Sequence, residues 1–213
     1  MNEELLRFNK KQKYMVFDFE TCNLNLASKD NKPWQLAFSI YQGGKLLESQ
    51  DYYIFWEDLN LSDGARRVTG FSDSKYKKRA LPAKKVLDHF EKYLYNKKYI
   101  KLGHNILGFD IYIHNIFRRL LGRSTDYSYL SECLDTLCLA KAIEKDIKIN
   151  DGDDLLPWQF KLNSFRERGM RLSLGACCKK YEVDLDSSKL HDALYDIQKN
   201  YEIFEKMLWK IEL

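Results

Sequence analysis

No apolar run in this 213-residue chain approaches the roughly 20 residues a membrane-spanning helix needs, which excludes a helical membrane enzyme. The five cysteines (Cys22, Cys133, Cys138, Cys177, Cys178) form no C-x-x-C pair and no zinc-binding spacing. Their number is odd, which argues against a disulfide framework. They read as reduced thiols of a cytoplasmic protein. The opening Met-Asn-Glu-Glu-Leu-Leu-Arg lacks the layout of a signal peptide and supports the same expectation. No internal repeat, low-complexity tract or linker interrupts the chain, so one domain over 1–213 is expected. Strong basicity is missing too. The net charge of +4 is too small for a purely electrostatic nucleic-acid binder. Apolar residues, by contrast, reach 45% and aromatics 14%, enough for a full globular core and too much for a disordered chain.

The stretch 14–22 organises the rest. Tyr14-Met15-Val16-Phe17 run as a buried strand into Asp18-Phe19-Glu20-Thr21-Cys22. Strand side chains alternate, so Asp18 and Glu20 share one face while Phe17 and Phe19 share the other. Two carboxylates at the end of a buried strand are costly unless a cation lies between them. Hard oxygen ligands suit Mg²⁺ or Mn²⁺. The plain alternative is a pair of solvated acids at an exposed strand end. Cys22 reads as a small packing residue.

Residues 34–41 and 46–56 read as two further strands joined by a Gly43-Gly44 hairpin, giving an antiparallel meander. Residues 62–70 suggest a short helical turn, followed by the solvated charges Lys75, Lys77, Lys78 and Arg79. Pro82 suits the first position of a helix that carries Val86, Leu87, Phe90 and Leu94 at helical spacing. A fourth strand is expected at 99–102 and a fifth at 130–134. A helix over 137–143 would be capped by Asp135 or Thr136, and one over 173–181 by Ser173. Residues 144–170, with the acids Asp151, Asp153 and Asp154, follow no regular period and read as an insertion.

Asp110 closes Gly103-His104-Asn105-Ile106-Leu107-Gly108-Phe109-Asp110 and opens a helix with the stripe Ile113, Ile116, Phe117, Leu120. A strand leads into it, the end of a sheet where α/β sites are built. On its own, Asp110 reads more simply as an acid favoured by the helix dipole. His191 precedes Asp196 by five residues, about 140° around a regular helix. The two converge only if His191 lies before the helix and Asp192 caps it.

Four converging acids repel one another unless metal is present. Two divalent ions roughly 3.5–4 Å apart would make them ligands for an in-line phosphoryl displacement, with His191 accepting the water proton. At this point the chain resembles the DnaQ-like (DEDDh) 3′-to-5′ exonuclease family on the ribonuclease H-like fold. The matching segments are D-F-E-T at 18–21, G-H-N-I-L-G-F-D at 103–110, L-D-T-L at 134–137 and H-D-A-L-Y-D at 191–196. Val68-Thr69-Gly70 also resembles a family segment near the bound 3′ end. Each segment is weak alone, and their order across 14–196 makes the set specific. Tyr195 stands one residue before Asp196, which fits the tyrosine-based DEDDy pattern poorly.

The resemblance implies a mixed five-stranded α/β sheet, its first three strands an antiparallel meander, with helices on both faces. It implies that Asp18, Glu20, Asp110 and Asp196 hold two divalent cations, with Asp18 bridging, and that His191 is the general base. Thr21, Val68, Thr69, Gly70, His104 and Asn105 would bind the substrate, with Asp135 behind them. The expected activity is release of nucleoside monophosphates from the 3′ end of single-stranded or frayed DNA. The alternatives are a 3′-to-5′ exoribonuclease and a proofreading or interaction subunit partnered by a polymerase or a second copy. The 144–170 segment has no assigned counterpart.

Overall fold

The computed structural model describes residues 5–28, 31–150 and 152–213; Asp151 and the first four residues lie outside them. Strand β1 (Lys13–Thr21) lies inside the sheet, and its alternation separates two cores. Met15, Phe17 and Phe19 pack against helices α3 (Ala83–Leu94) and α4 (Asp110–Leu120), meeting Phe90 and Phe117. Tyr14 and Val16 face α5 (Thr136–Lys145), α7 (Leu174–Lys180) and α8 (Ala193–Met207), meeting Leu139, Cys177, Ile197 and Phe204. The side chains of 18 and 20 extend the second of these faces, so the acids project towards α8.

Strands β2 (Pro33–Gln42) and β3 (Lys45–Phe55) complete the antiparallel meander through Gly43-Gly44. Strands β5 (Tyr99–Gly103) and β6 (Cys133–Asp135) add in parallel on the other side of β1. The sheet has six strands where five were expected. The extra one is the two-residue β4 (Leu81–Pro82), parallel to β3 at the sheet edge. Pro82 therefore precedes α3 rather than opening it, and an edge position asks no N–H of a proline. Strand β6 is shorter than the expected 130–134 because residues 130–132 form a 3₁₀ turn.

A smaller core of Cys22, Trp34, Tyr53, Leu61 and Tyr76 roots α1 (Asp63–Thr69) and α2 (Asp73–Arg79). Cys22 thus packs, as expected, and the register of β1 on β2 shifts between Glu20 and Thr21. Residues 144–170 are more regular than their sequence suggests. They finish α5 and form α6 (Leu155–Ser164), whose N-cap is Asp154. Gln159 on α6 is buried against β6. It accepts from Asp135 N at 2.7 Å and donates to Cys133 O at 3.0 Å, covering an otherwise open sheet edge. Among the described residues no helix is long and apolar enough to cross a membrane.

Candidate active site

Strand β5 pairs with β1 only as far as Val16, which leaves the N–H of Phe19 without a strand partner on that side. Asp110 fills the gap. Its Oδ1 accepts from Phe19 N at 3.1 Å, between Asp18 and Glu20. The carboxyl is buried and opens α4, as the sequence pattern required.

The approach to α8 supplies the other half. Asp192 is the N-cap, accepting from Leu194 and Tyr195 N–H. His191 stands just before it with φ 68°, a left-handed backbone that costs a non-glycine residue about 1 kcal/mol. A bond from His191 N to Asp196 Oδ2 at 3.1 Å holds that conformation. One ligand atom each from Glu20, His191 and Asp196 lie within 4.8 Å of one another. Asp196 Oδ1 is buried and, among the described residues, has no hydrogen-bond partner.

The electrostatics are lopsided. Among the described residues, no lysine or arginine forms an ion pair with Asp18, Glu20, Asp110, Asp192 or Asp196. Burial, then the Asp192 charge, pushes Asp18 up to about 7. Burial, then Asp18, pushes Asp196 up to about 8. Glu20 and Asp110 are raised well above the ordinary carboxylate range by burial, with Asp18 as the next cause in each. An anionic cluster built this way calls for cations.

The loop 103–110 is held from below by Asp135. This buried carboxylate accepts from Asn105 N at 2.9 Å and Leu107 N at 3.1 Å while capping α5. Asn105 takes a left-handed φ of 65°. A Cβ on Gly108 would come within 2.4 Å of Asn105 Oδ1, so a larger residue there would push the Asn105 side chain aside. His104 donates from Nε2 to Leu172 O at 2.9 Å, which leaves Nδ1 to accept from Thr136 Oγ1 at 2.9 Å. Burial holds this imidazole neutral, down to about 4. With both nitrogens engaged, the ring serves as a wall. Together with Phe17, Asp18, Leu174, Asp196, Ile197 and Asn200 it lines a cavity of about 140 Å³.

Similarity to known proteins agrees with this geometry. The family model RNase_T, described as Exonuclease, matches residues 15–204. This chain belongs to that exonuclease family. A comparison with curated proteins finds no match. Among solved structures, E. coli exonuclease I with a dT13 oligonucleotide aligns at TM-score 0.71 and 16% identity, over 94% of this chain and 42% of that one. The zinc-bound E. coli exonuclease I–ssDNA complex gives 0.67 and 18%, over 92% and 40%. The exonuclease I of Methylocaldum szegediense gives 0.64 and 16%, over 91% and 40%. The exonuclease-family chain thus spans about two fifths of the length of these structures. Its mixed α/β fold is that of the ribonuclease H-like exonucleases.

Within the exonuclease-family site, the remaining expected residues are less central. The Thr21 hydroxyl donates to Asn23 O at 2.6 Å, away from the acids. Val68, Thr69 and Gly70 end α1, which the small core fastens beside the Glu20 end of β1. Val68 is exposed, and Thr69 Oγ1 donates to Ala65 O at 2.9 Å. The sequence reading did not single out Asn200, Asn163 or Gln159. Asn200 lies one helical turn beyond Asp196, a signal the i, i+4 rule offers. Asn163 and Gln159 reach the site across long sequence separations and leave no local signal.

Proposed function

We propose that this chain is a 3′-to-5′ exonuclease that uses two divalent cations, Mg²⁺ or Mn²⁺. It releases nucleoside monophosphates from the 3′ end of single-stranded or frayed DNA. In this reading 1–213 act as one exonuclease domain, with 144–170 as an added segment. The carrying observation is Asp196: among the described residues its buried Oδ1 is unpartnered, and one of its carboxylate oxygens lies near Glu20 and His191 in an acid cluster that no described basic side chain pairs with. Carboxylate oxygens in that setting suit hard divalent cations, and Asp18, Glu20, Asp110 and Asp196 would hold them. Bound cations supply Lewis-acid polarisation of the phosphate and a lowered pKa for water.

The chain's own groups do the rest. The Phe19 N–H fixes the Asp110 carboxyl, and the His191 N–H fixes Asp196. The exposed His191 imidazole takes the proton of the attacking water on a ring nitrogen. Val68 offers an apolar surface for the terminal base. Asn105 and the wall formed by His104 bound the nucleotide. The closeness of His191 to Glu20 and Asp196 favours a second reading, in which the imidazole is itself a ligand.

DNA and RNA oligonucleotides of one sequence, labelled at either end, test the proposal in Mg²⁺, Mn²⁺ or chelator. Stepwise shortening from the 3′ end of DNA, only with metal, is expected. Preference for RNA would make the chain an exoribonuclease. Turnover in excess chelator, or cutting of a closed single-stranded circle at a similar rate, would overturn the reading.

A further inference from the structure

The segment after α6 has a composition unlike the rest of the chain. Residues 161–171 carry Lys161, Arg166, Arg168 and Arg171 against one acid, Glu167. Glu167 is already paired with Lys145. The exposed Arg166 guanidinium is engaged locally, donating to the carbonyls of Asn163 and Phe165. Arg168 and Arg171 are both exposed, and among the described residues no carboxylate pairs with either.

Exposed arginines are ordinary; these two stand on a stretch fastened to the candidate active site at several points. Asn163 Nδ2 donates to Asn105 Oδ1 at 3.2 Å. The buried Lys141 ammonium donates to the carbonyls of Leu162, Asn163 and Phe165 at 2.9, 3.0 and 3.0 Å, capping the end of α6. Leu172 O accepts from the His104 ring. Between these ties, Met170 N donates to Glu167 O at 3.3 Å, closing a turn with Arg168 at its corner and Gly169 at φ 89°. Leu174, three residues beyond Arg171, lines the cavity beside Asp18. Three residues span at most about 10 Å. Stacked nucleotides repeat at roughly 3.4 Å, so Arg171 stands within a few nucleotides of the acids.

We propose that Arg168 and Arg171 contact phosphates of the nucleic-acid strand that leads into the acid cluster, so that 161–171 form one wall of the substrate path. The proposal rests on the exonuclease reading and deepens it. Each guanidinium presents a rigid fork of donors matched to phosphate oxygens. The wall supplies positive charge beside a site that is itself acidic.

The test is fluorescence anisotropy of a 5′-labelled dT12 in chelator across a salt series, on the wild type, Arg168→Ala/Arg171→Ala and Arg168→Glu/Arg171→Glu. The alanine pair should weaken binding on the order of tenfold and lower the slope of log K on log salt by about 1.4. The glutamate pair should weaken it further. The penalty should shrink as the oligonucleotide is shortened to a dinucleotide, which cannot reach both arginines. Unchanged affinity and slope in both variants, in a protein that binds and shortens dT12, would overturn this inference alone. A wild type that neither binds nor shortens dT12 would overturn the exonuclease reading with it. A loss equal at every length, with a lowered melting temperature, would show that the arginines only support the fold.

Discussion

Asp18 carries its carboxyl without a balancing basic neighbour among the described residues. Burial and Asp192 raise its pKa to about 7. Asp18→Asn should lower turnover below detection while leaving the circular dichroism of the fold unchanged. The same substitution should stabilise the metal-free protein at pH 8, by on the order of 2 kcal/mol or several degrees in Tm, because it deletes a repelling charge. An unchanged or lower Tm in chelator would contradict the charge argument. His191 is separable from the acids by kinetics. His191→Ala should cut the maximal rate on the order of 10²–10⁴-fold with metal affinity nearly intact, whereas Asp196→Ala should weaken metal binding itself. Metal titration of both variants decides between base and ligand. The placement of Asp18 and Glu20 on one strand face and of Asp110 at a helix start was legible in the sequence, because both are local patterns. The convergence of His191 with Asp196 needed the cap at Asp192, also local. The left-handed backbone at Asn105 was not legible, because a bond to the distant Asp135 supports it; that at His191 rests on the nearer bond to Asp196 and left no pattern of its own.

At the scale of elements, the meander, α3, α4, α7 and α8 followed from hydrophobic period and capping residues. The 144–170 segment did not. Helix α6 owes its place to Gln159 and Lys141, polar residues that satisfy backbone groups far away in sequence and carry no periodic signal. Gln159→Leu keeps the volume but strands the Asp135 N–H and the Cys133 carbonyl. A loss of about 2–3 kcal/mol is expected in urea unfolding, with m unchanged. A neutral result would mean that water replaces the amide and that α6 is not an edge cover. The sixth strand escaped notice for a similar reason: two residues ending in proline make no strand pattern, and only the presence of β3 gives them a partner.

At the scale of the molecule, stability should depend on pH and metal together. Carboxyls raised in the fold keep their protons to higher pH than in the unfolded chain. Their favourable contribution is complete below about pH 4 and is lost as pH rises through about 7 for Asp18 and about 8 for Asp196. His104 runs the other way. Its folded pKa of about 4 lies below the ordinary value of 6.5, so its contribution is present above pH 6.5 and is lost as pH falls towards 4. In chelator, Tm should therefore fall between pH 6.5 and 8 as Asp18 and Asp196 lose their protons. Saturating Mg²⁺ or Mn²⁺ should flatten or reverse that fall, since ligand binding to the native state adds stability by mass action. Differential scanning fluorimetry over this pH range reads both trends. Identical slopes with and without metal would contradict them.

Glu20 on the first strand and Asp196 on the last helix meet at one point, with most of the chain looped between them. A cation held between those residues would behave as a removable cross-link that closes a very long loop, and closing long loops is where cross-links restrain a chain most. A single tryptic cut after the exposed Lys148 would leave two fragments, one carrying Asp18, Glu20 and Asp110 and the other His191 and Asp196. Divalent metal should hold those fragments together through gel filtration, and chelator should release them.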